Sequence, residues 1–340
     1  MSNVLEVTGL TTQVNSKGKH MNVIDNLSFT IKKGESLGIV GESGCGKSMV
    51  VLSLMQLLDE NVKVIEGNIS LDGKDLLQLS DQELRNVRGK EMAMIFQDPM
   101  TSINPVLKIG KQIREAVEKD ESVSRSERDD RVIDLLKQVG IPRPNEIVRE
   151  YPHRLSGGMR QRVMIAMAIA CHPTLLIADE PTTALDVTIQ AQILDLLKKI
   201  RSDTGMSLIM ITHDLGIVSE VCDRVMVMYA GQVVETTDVR TLLLDPKHPY
   251  TIGLINSMPQ KARGLKRLNS IPGNVPTPGD YPSGCRFAAR CDNVMPICLE
   301  KSPELINIDE QTSCRCWLYS DNKEVQGEYG ITDIRNQRVE

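Results

Sequence analysis

Short apolar runs alternate with segments of helical periodicity along most of the chain. Near the N-terminus, apolar runs at 4–7, 27–31 and 36–40 predict strands, with a turn at Gly34–Glu35 between the last two. From Lys47 onward the apolar positions follow helical spacing, which predicts a helix directly after the third strand.

The same alternation continues towards the C-terminus. Further apolar runs predict strands at 67–73, 92–96, 175–178 and 207–212, and helical spacing predicts helices from about 158 to 170 and from 189 to 201. Because the strands at 175–178 and 207–212 are almost entirely apolar, they favour a parallel sheet covered on both faces. Residues 225–236 predict a hairpin that turns at Ala230–Gly231.

Two regions depart from this alternation. Residues 100–155 are charged and mostly of helical spacing, which predicts a separate helical region. After about residue 245 the chain concentrates nine of its 16 prolines and five of its eight cysteines, which indicates a loop-rich segment held by something other than a large core. Residues 321–340 form a polar tail.

A glycine-rich loop lies between the strand at 36–40 and the helix that begins at Lys47. Residues 41–48 fit the pattern G-x-x-x-x-G-K-[ST] in the strand–loop–helix context that this phosphate-binding motif requires. Glycines let backbone N–H groups surround phosphates, and the helix N-terminus adds the positive end of its dipole. We therefore predict that the following residues bind nucleotide: Gly41, Ser43, Gly44, Cys45, Gly46, Lys47, Ser48 and Met49.

Two acidic residues end the apolar strand at 175–178. Asp179 can hold Mg²⁺ together with the Ser48 hydroxyl, and Glu180 can orient or deprotonate an attacking water. Lys47 is predicted to contact the β- and γ-phosphates. Because open parallel sheets gather their sites at the carboxyl ends of strands, these residues are expected to meet at one edge.

Three further features fit the same site. Gln97 follows the strand at 92–96, His213 follows the strand at 207–212, and the segment 155–161, Leu-Ser-Gly-Gly-Met-Arg-Gln, opens the next helix. Each alone is as readily a loop glutamine, a strand-end histidine or a helix cap. Their occurrence together and in this order favours function.

Composition limits the classes of protein to consider. The 340 residues are 41% hydrophobic and 25% charged, an ordinary balance for a globular protein, and their net charge of −5 gives no global basic field for nucleic acid. The longest apolar run, 163–171, is about half of what a membrane span needs. With no visible secretory signal, we expect the chain to stay in the cytosol.

Taken together, these motifs resemble the nucleotide-binding subunit of an ABC transporter over about residues 4–245. The resemblance implies an α/β fold of the P-loop NTPase type, with a RecA-like parallel sheet core, an antiparallel β subdomain and a helical subdomain at about 100–160.

The resemblance also implies roles for individual residues. It implies catalytic roles for Lys47, Glu180 and His213, and Mg²⁺ ligation by Ser48, Gln97 and Asp179. Further nucleotide contacts are implied for Gln97 and for signature residues Ser156, Gly157 and Gly158, which in this family complete the ATP site of a second cassette. The D-loop of the family corresponds to Ala184–Asp186.

The chain departs from the family pattern in two places. The fifth signature residue is Met159 rather than glutamine, a position at which many members vary. The segment 19–23, upstream of the phosphate loop, has no aromatic residue to stack on adenine, and His20 or Met21 is left to substitute. Weak stacking would permit some use of GTP.

A narrower resemblance is to the ATPases of oligopeptide and dipeptide permeases, a family that also includes nickel importers. It rests on Phe96–Pro105, His248–Ile255 and Gly284–Cys291. It implies a cassette at 1–245, a Cys/Pro-rich C-terminal extension at 246–320 and peripheral attachment to the cytoplasmic face of the membrane. The implied partners are a homologous second ATPase, two transmembrane subunits and an external substrate-binding protein, with no nucleic acid.

The clustered cysteines raise a separate question. Cys285, Cys291, Cys298 and Cys316 resemble the arrangement that holds a [4Fe–4S] cluster in some of these permease subunits, with Cys314 as the spare. Four thiolates can hold such a cluster or a zinc ion, and the wide gaps between them favour the larger cluster. Free thiols in a loop-rich tail are the alternative.

Other classes of protein fit less well. A soluble ABC ATPase acting on DNA would carry a long coiled coil or zinc hook between residues 48 and 155, and this interval has no sustained heptads. Translation-factor ATPases carry two cassettes in one chain, whereas this chain has one. A redox or iron sensor is a third possibility, although nothing in residues 1–245 demands it. We expect an ATP-hydrolysing importer subunit.

Overall fold

The structure is a computed structural model that describes residues 2–183, 185–258 and 270–320. Its strands are β1 Asn3–Ser16, β2 Lys19–Lys32, β3 Ser36–Val40, β4 Val62–Leu71, β5 Lys74–Asp75, β6 Met92–Ile95, β7 Leu175–Asp179, β8 Ser207–Thr212, β9 Arg224–Tyr229, β10 Gln232–Asp238, β11 Ile306–Asn307 and β12 Ser313–Cys314. Its helices are α1 Lys47–Leu54, α2 Asp81–Lys90, α3 Pro99–Ser102, α4 Ile109–Val117, α5 Arg128–Gln138, α6 Pro144–Ile147, α7 Gly157–Ala168, α8 Val187–Thr204, α9 Leu215–Val221, α10 Val239–Leu244, α11 Pro249–Asn256 and α12 Pro296–Glu300.

The larger sheet has eight strands in the order β11-β12-β10-β9-β3-β8-β7-β6. The five strands from β9 to β6 are parallel to one another, as the apolar runs predicted. Every residue of β3, β7 and β8 is buried, because helices and the second sheet cover the two faces. The carboxyl ends of β3, β6, β7 and β8 therefore share one edge.

A second, antiparallel sheet contains β2, β1, β4 and β5 in that order. The strands predicted at 4–7 and 27–31 are parts of longer strands, because β1 and β2 form one hairpin of two 14-residue strands. The segment predicted at 67–73 as a strand ending in a turn is the end of β4 and the turn after it. The turn of the hairpin, Lys17–Gly18, has positive φ at both residues, which matches the twist of paired strands. Register shifts in β1 interrupt the apolar alternation, so the full length was hidden in the sequence.

Residues 99–147 contribute the helices α3 to α6, as the charged helical pattern predicted. Their apolar faces pack together with α7, and the buried core there includes Ile113, Val117, Leu135 and Leu136. The signature segment thus begins a helix that belongs to this helical layer. Among the described residues, none of the helices is both long and apolar enough to cross a bilayer.

The segment after residue 245 shares the core of the main sheet, contrary to the prediction that something other than a large core holds it. Tyr250 and Phe287 are buried with Tyr229 of β9, and the three rings pack at centroid distances of 4.7 to 5.4 Å. Strand β12 also pairs with β10 and extends the sheet. The sequence pattern missed this because the contacts join segments far apart in the chain. The tail at 321–340 lies outside the described residues.

Candidate functional site

The predicted phosphate loop lies between β3 and α1. Gly41 allows a close approach, because a Cβ built on it would lie 2.3 Å from the carbonyl oxygen of Met228. Gly46 has a φ of 106° and precedes α1 without any side-chain cap, so the first N–H groups of the helix face the loop. Ser43 and Gly44 are exposed at the tip. This cradle of N–H groups suits an anion.

Lys47 lies almost buried at the base of the loop. Its ammonium donates hydrogen bonds to the carbonyl oxygens of Gly41 at 2.8 Å and Glu42 at 3.1 Å. The cation is thereby held inside the curve of the loop, where phosphates would bind. Cys45 contributes backbone rather than thiol chemistry: its side chain is buried, burial raises its pKa, and its carbonyl accepts the N–H of Gly231 at 2.8 Å.

Ser48 and Asp179 meet at the edge of the sheet, as predicted. The Ser48 hydroxyl donates to Asp179 Oδ1 over 3.4 Å. Burial raises the pKa of Asp179, and the neighbouring Glu180 raises it further, while the bond from Ser48 acts in the opposite direction. Two oxygen ligands next to a phosphate cradle fit the preference of Mg²⁺ for hard oxygen donors.

Glu180 is the centre of the site. Its carboxylate accepts hydrogen bonds from Gln97 Nε2 at 3.0 Å and from Thr183 Oγ1 at 2.9 Å, and its Oε1 lies 3.3 Å from His213 Nδ1. Glu180 has a φ of 45°, an uncommon conformation for a residue other than glycine, and one found more often at functional sites. The sequence predicted three members of this group; Thr183, in the Glu-Pro-Thr-Thr run, was missed.

Opposing effects set the ionisation of Glu180. Burial alone raises its pKa, but the hydrogen bonds from Thr183 and His213 and the charge of Lys47 outweigh burial, and the pKa is lowered. The carboxylate is therefore ionised at neutral pH and able to accept a proton. Gln97 contacts Glu180 here, rather than Ser48 or Asp179.

The signature segment begins α7. The Ser156 hydroxyl caps this helix by accepting the N–H of Met159 at 3.4 Å. Gly157 approaches Leu185, just before α8, and Gly158 approaches Ile189 in the first turn of α8. Within the described ranges, no hydrogen bond joins residues 156–158 to the loop at 41–48. Of the predicted family loop at 184–186, Ala184 lies outside the described residues, and Asp186 caps α8 through the N–H of Ile189 at 2.9 Å.

The segment without an aromatic residue, 19–23, approaches the C-terminal extension at Gly279. His20 is exposed and Met21 is half-buried, and a Cβ on Gly279 would lie 2.7 Å from Met21 Sδ. Burial raises the pKa of Tyr281, two residues further along the extension. The guanidinium of Arg286 covers the Tyr281 ring at 4.1 Å.

Two of the four predicted cluster ligands are joined through their backbones, because the Cys285 N–H donates to the Cys298 carbonyl at 2.8 Å. Burial chiefly, with the charges of Cys285, Cys291 and Cys298 acting in the same direction, raises the pKa of Cys316 to about 12. Within the described part of the chain, however, no group of three or more His, Cys, Asp or Glu side chains is arranged to hold a metal ion. Cys314, the spare, is buried in β12.

Comparison with known proteins decides the family. The ABC transporter family profile matches residues 24–183, and the profile of the oligopeptide/dipeptide transporter C-terminal region matches 234–298. The chain is 49% identical over 322 residues to the oligopeptide transport ATP-binding protein AppD of Bacillus subtilis, covering 94% of this chain and 98% of that protein. It belongs to the ATP-binding proteins of ABC transporters of the oligopeptide type.

Two other comparisons support the same family and fold. The chain is 48% identical to the oligopeptide transport ATP-binding protein OppD of Bacillus subtilis, covering 94% of this chain and 89% of that protein. Among solved structures, the dimeric ATP-binding cassette MJ0796 bound to ADP and Pi is similar with a TM-score of 0.62 and 28% identity, over 69% of this chain and 99% of that one. The fold is that of an ABC cassette, and the chain is an ATPase coupled to transport.

Proposed function

We propose that the chain is the ATP-hydrolysing subunit of an importer for di- or oligopeptides, which works as a dimer of cassettes on two transmembrane subunits. The observation that carries this proposal is the match of residues 234–298 to the oligopeptide/dipeptide transporter C-terminal region. The names of AppD and OppD support peptide as the cargo, and none of the named relatives favours nickel.

Within this proposal the residues at the sheet edge have separate roles in ATP hydrolysis. Lys47 and the N–H groups of the loop hold the phosphates, while Glu180 accepts a proton from the attacking water. Gln97 and His213 hold the Glu180 carboxylate in place, which their contacts of 3.0 and 3.3 Å support. Mg²⁺, when bound, would neutralise phosphate charge, and the Ser48 hydroxyl, the Asp179 carboxylate and the side-chain carbonyl of Gln97 would supply oxygen ligands for it.

The ATP site is composite in this proposal. The signature residues Ser156, Gly157 and Gly158 serve the ATP of a second, homologous cassette, because a helix N-terminus free of the chain's own phosphate loop can bind a partner's phosphate. The dimeric form of the similar cassette MJ0796 supports the same arrangement.

An apolar groove supports docking on transmembrane subunits. It has a volume of about 290 Å³ and is lined by Met55, Leu57, Phe96, Met164 and Met167 among others. Phe96 and Leu57, which line this groove, are each more than one third exposed, so the groove presents an apolar patch at the surface. Phe96 directly precedes Gln97, so a subunit seated in the groove would act next to the Glu180 site. The proposal locates the chain on the cytoplasmic face of the membrane, with peptide delivered by an external binding protein.

We further propose a [4Fe–4S] cluster on Cys285, Cys291, Cys298 and Cys316. The backbone N–H groups of Phe287, Asn293 and Leu318, which face the sulfurs of Cys285, Cys291 and Cys316 respectively, support it. Such N–H groups stabilise thiolate ligands and tune the clusters that they hold. In this proposal the cluster staples the extension and carries no redox step.

Assembly provides the first test of the proposed function. Affinity purification of the tagged chain from its own cells is expected to recover two polytopic membrane subunits and a homologous ATPase. The isolated chain is expected to hydrolyse ATP slowly, with a rate per chain that rises with concentration because two chains form each site. Full turnover in a preparation shown to be monomeric would rule out the composite site.

A further inference from the structure

The C-terminal extension reaches the phosphate loop at Glu42, a residue to which the motif assigns no role. Arg290 donates two parallel hydrogen bonds to its carboxylate, Nη1 to Oε2 at 2.6 Å and Nη2 to Oε1 at 3.0 Å. The Arg290 side chain is only 4% exposed, so solvent screens this pair far less than a surface ion pair. The two residues are 248 positions apart in the chain.

Arg290 is itself fixed by its surroundings. Its Nε donates to the carbonyl of Pro272 at 2.7 Å, and Nη2 also donates to the carbonyl of Ile271 at 3.2 Å. The Tyr229 hydroxyl lies 3.4 Å from Nη1. The pKa of Arg290 is raised, chiefly by its hydrogen bond to Glu42. The fork of the guanidinium is therefore already aimed at Glu42.

A second contact holds the backbone of the same loop residue. The Glu42 N–H donates to the hydroxyl of Tyr250 over 2.8 Å. Tyr250 is fully buried in the ring cluster with Tyr229 and Phe287, so its hydroxyl has little freedom to move. The extension thus holds both the side chain and the main chain of Glu42.

We propose that Arg290 and Tyr250 are positioning residues for nucleotide binding: they brace the phosphate loop from the C-terminal extension. The Glu42 carbonyl accepts from Lys47 at 3.1 Å, so the position of Glu42 sets the position of the phosphate-binding ammonium. Arg290 also neutralises a carboxylate that would otherwise repel the anionic nucleotide. Neither role depends on which solute the transporter carries.

The brace links the cysteine segment to the ATP site. Arg290 lies between Cys285 and Cys298, whose backbones are joined by a hydrogen bond from Cys285 N–H to the Cys298 carbonyl at 2.8 Å. Order in this segment is therefore expected to strengthen nucleotide binding. Because coupling between two sites is reciprocal, bound nucleotide is expected to protect the segment in return.

The test measures binding of Mg-ADP to the isolated full-length chain. Arg290→Gln is expected to weaken affinity about tenfold, the size of an ordinary coupling between sites. Adding Glu42→Gln to that variant is expected to recover most of the loss, since no unpaired carboxylate remains. Arg315→Gln is the matched control: Arg315 is a half-buried arginine of the extension, bonded to the carbonyls of Val233 and Pro303. Its affinity is expected to equal that of the wild type.

Tyr250→Phe keeps the ring packing and removes only the acceptor for Glu42, so it tests the brace without disturbing the core. We expect a several-fold loss of affinity with little change in melting temperature, together with weaker protection of residues 285–298 from hydrogen exchange when Mg-ADP is added. Wild-type affinity in folded Tyr250→Phe, or no recovery in the Arg290→Gln/Glu42→Gln double variant, would overturn the proposal. Because the assay reads binding alone, its failure is distinct from failure of peptide transport.

Discussion

The side-chain amide of Gln97 donates to the Glu180 carboxylate over 3.0 Å, although the two residues are 83 positions apart in the chain. Gln97 follows β6 and Glu180 follows β7, and the parallel pairing of these strands brings their ends together. Gln97 lies beside the exposed apolar residue Phe96, at the groove proposed for the membrane subunits. The contact therefore joins the proposed docking surface to the proposed proton acceptor.

Glu180→Gln is expected to lower ATP turnover in the assembled complex by about 100-fold or more, because the attacking water loses its base. Phosphate contacts remain in this variant, so ATP stays bound and the closed dimer of cassettes accumulates. Steady-state turnover and gel filtration with ATP measure both effects. Glu60→Gln, at an exposed position after α1, is the control and should behave as wild type. Normal turnover in Glu180→Gln would remove Glu180 from its proposed role.

Lys47→Ala is expected to act on binding rather than on turnover of bound ATP. The substitution removes the cation that the Gly41 and Glu42 carbonyls hold inside the loop, so affinity for Mg-ATP should fall at least tenfold. Equilibrium binding to the isolated chain measures this. Lys198→Ala, which removes a surface lysine paired with Asp195 and Glu220, should leave affinity unchanged. Equal affinities in the two variants would contradict the assignment.

The cysteine proposal predicts four iron and four sulfide per chain after purification without oxygen, with a broad visible absorbance that is lost on oxidation. Cys291→Ser should abolish this absorbance and still bind nucleotide, although more weakly than the wild type, because Arg290 is next in the chain. Cys171→Ser, remote in sequence from the cluster, should retain the iron. Zinc without iron would convert the proposal to a structural zinc site, and the absence of both metals from an ordered extension would contradict it.

The burial of the His248 side chain predicts that the protein is less stable in mild acid. Burial lowers the pKa of His248 to about 3 from 6.5, so between these values the unfolded chain binds the proton and the folded chain does not. His248 therefore does not lower the free energy of unfolding above about pH 6.5, and it lowers this free energy progressively as the pH falls below that value. At pH 5 the loss amounts to about 2 kcal/mol. Buried Glu235, whose pKa burial raises, contributes in the opposite sense.

His248→Asn separates these effects, since asparagine can still cap α11, where the His248 ring accepts the N–H of Tyr250 at 3.0 Å. Urea unfolding at pH 7 and pH 5 should show a smaller loss of stability on acidification in the variant than in the wild type. An equal loss in both proteins would show that His248 is not the responsible group.

The phosphate loop, the apolar parallel strands and the residues that end them were predictable, because each is encoded in a short stretch of chain. The meeting of Glu180, Gln97 and His213 could be predicted from the rule that the carboxyl ends of parallel strands lie at one edge of the sheet. The length of β1 was not predictable, since register shifts break its alternation. The Arg290–Glu42 pair was equally hidden, because neither residue's neighbours in sequence indicate a partner at the other end of the chain.

The most direct test of the account is uptake of a labelled di- or oligopeptide by proteoliposomes that hold the assembled complex, its external binding protein and ATP at the cassette side. The account predicts ATP-dependent accumulation of peptide, which stops when this chain carries Glu180→Gln and continues when it carries Glu60→Gln. Peptide uptake that is equal with and without this chain, or ATP hydrolysis by the complete complex with no movement of any peptide tested, would contradict it.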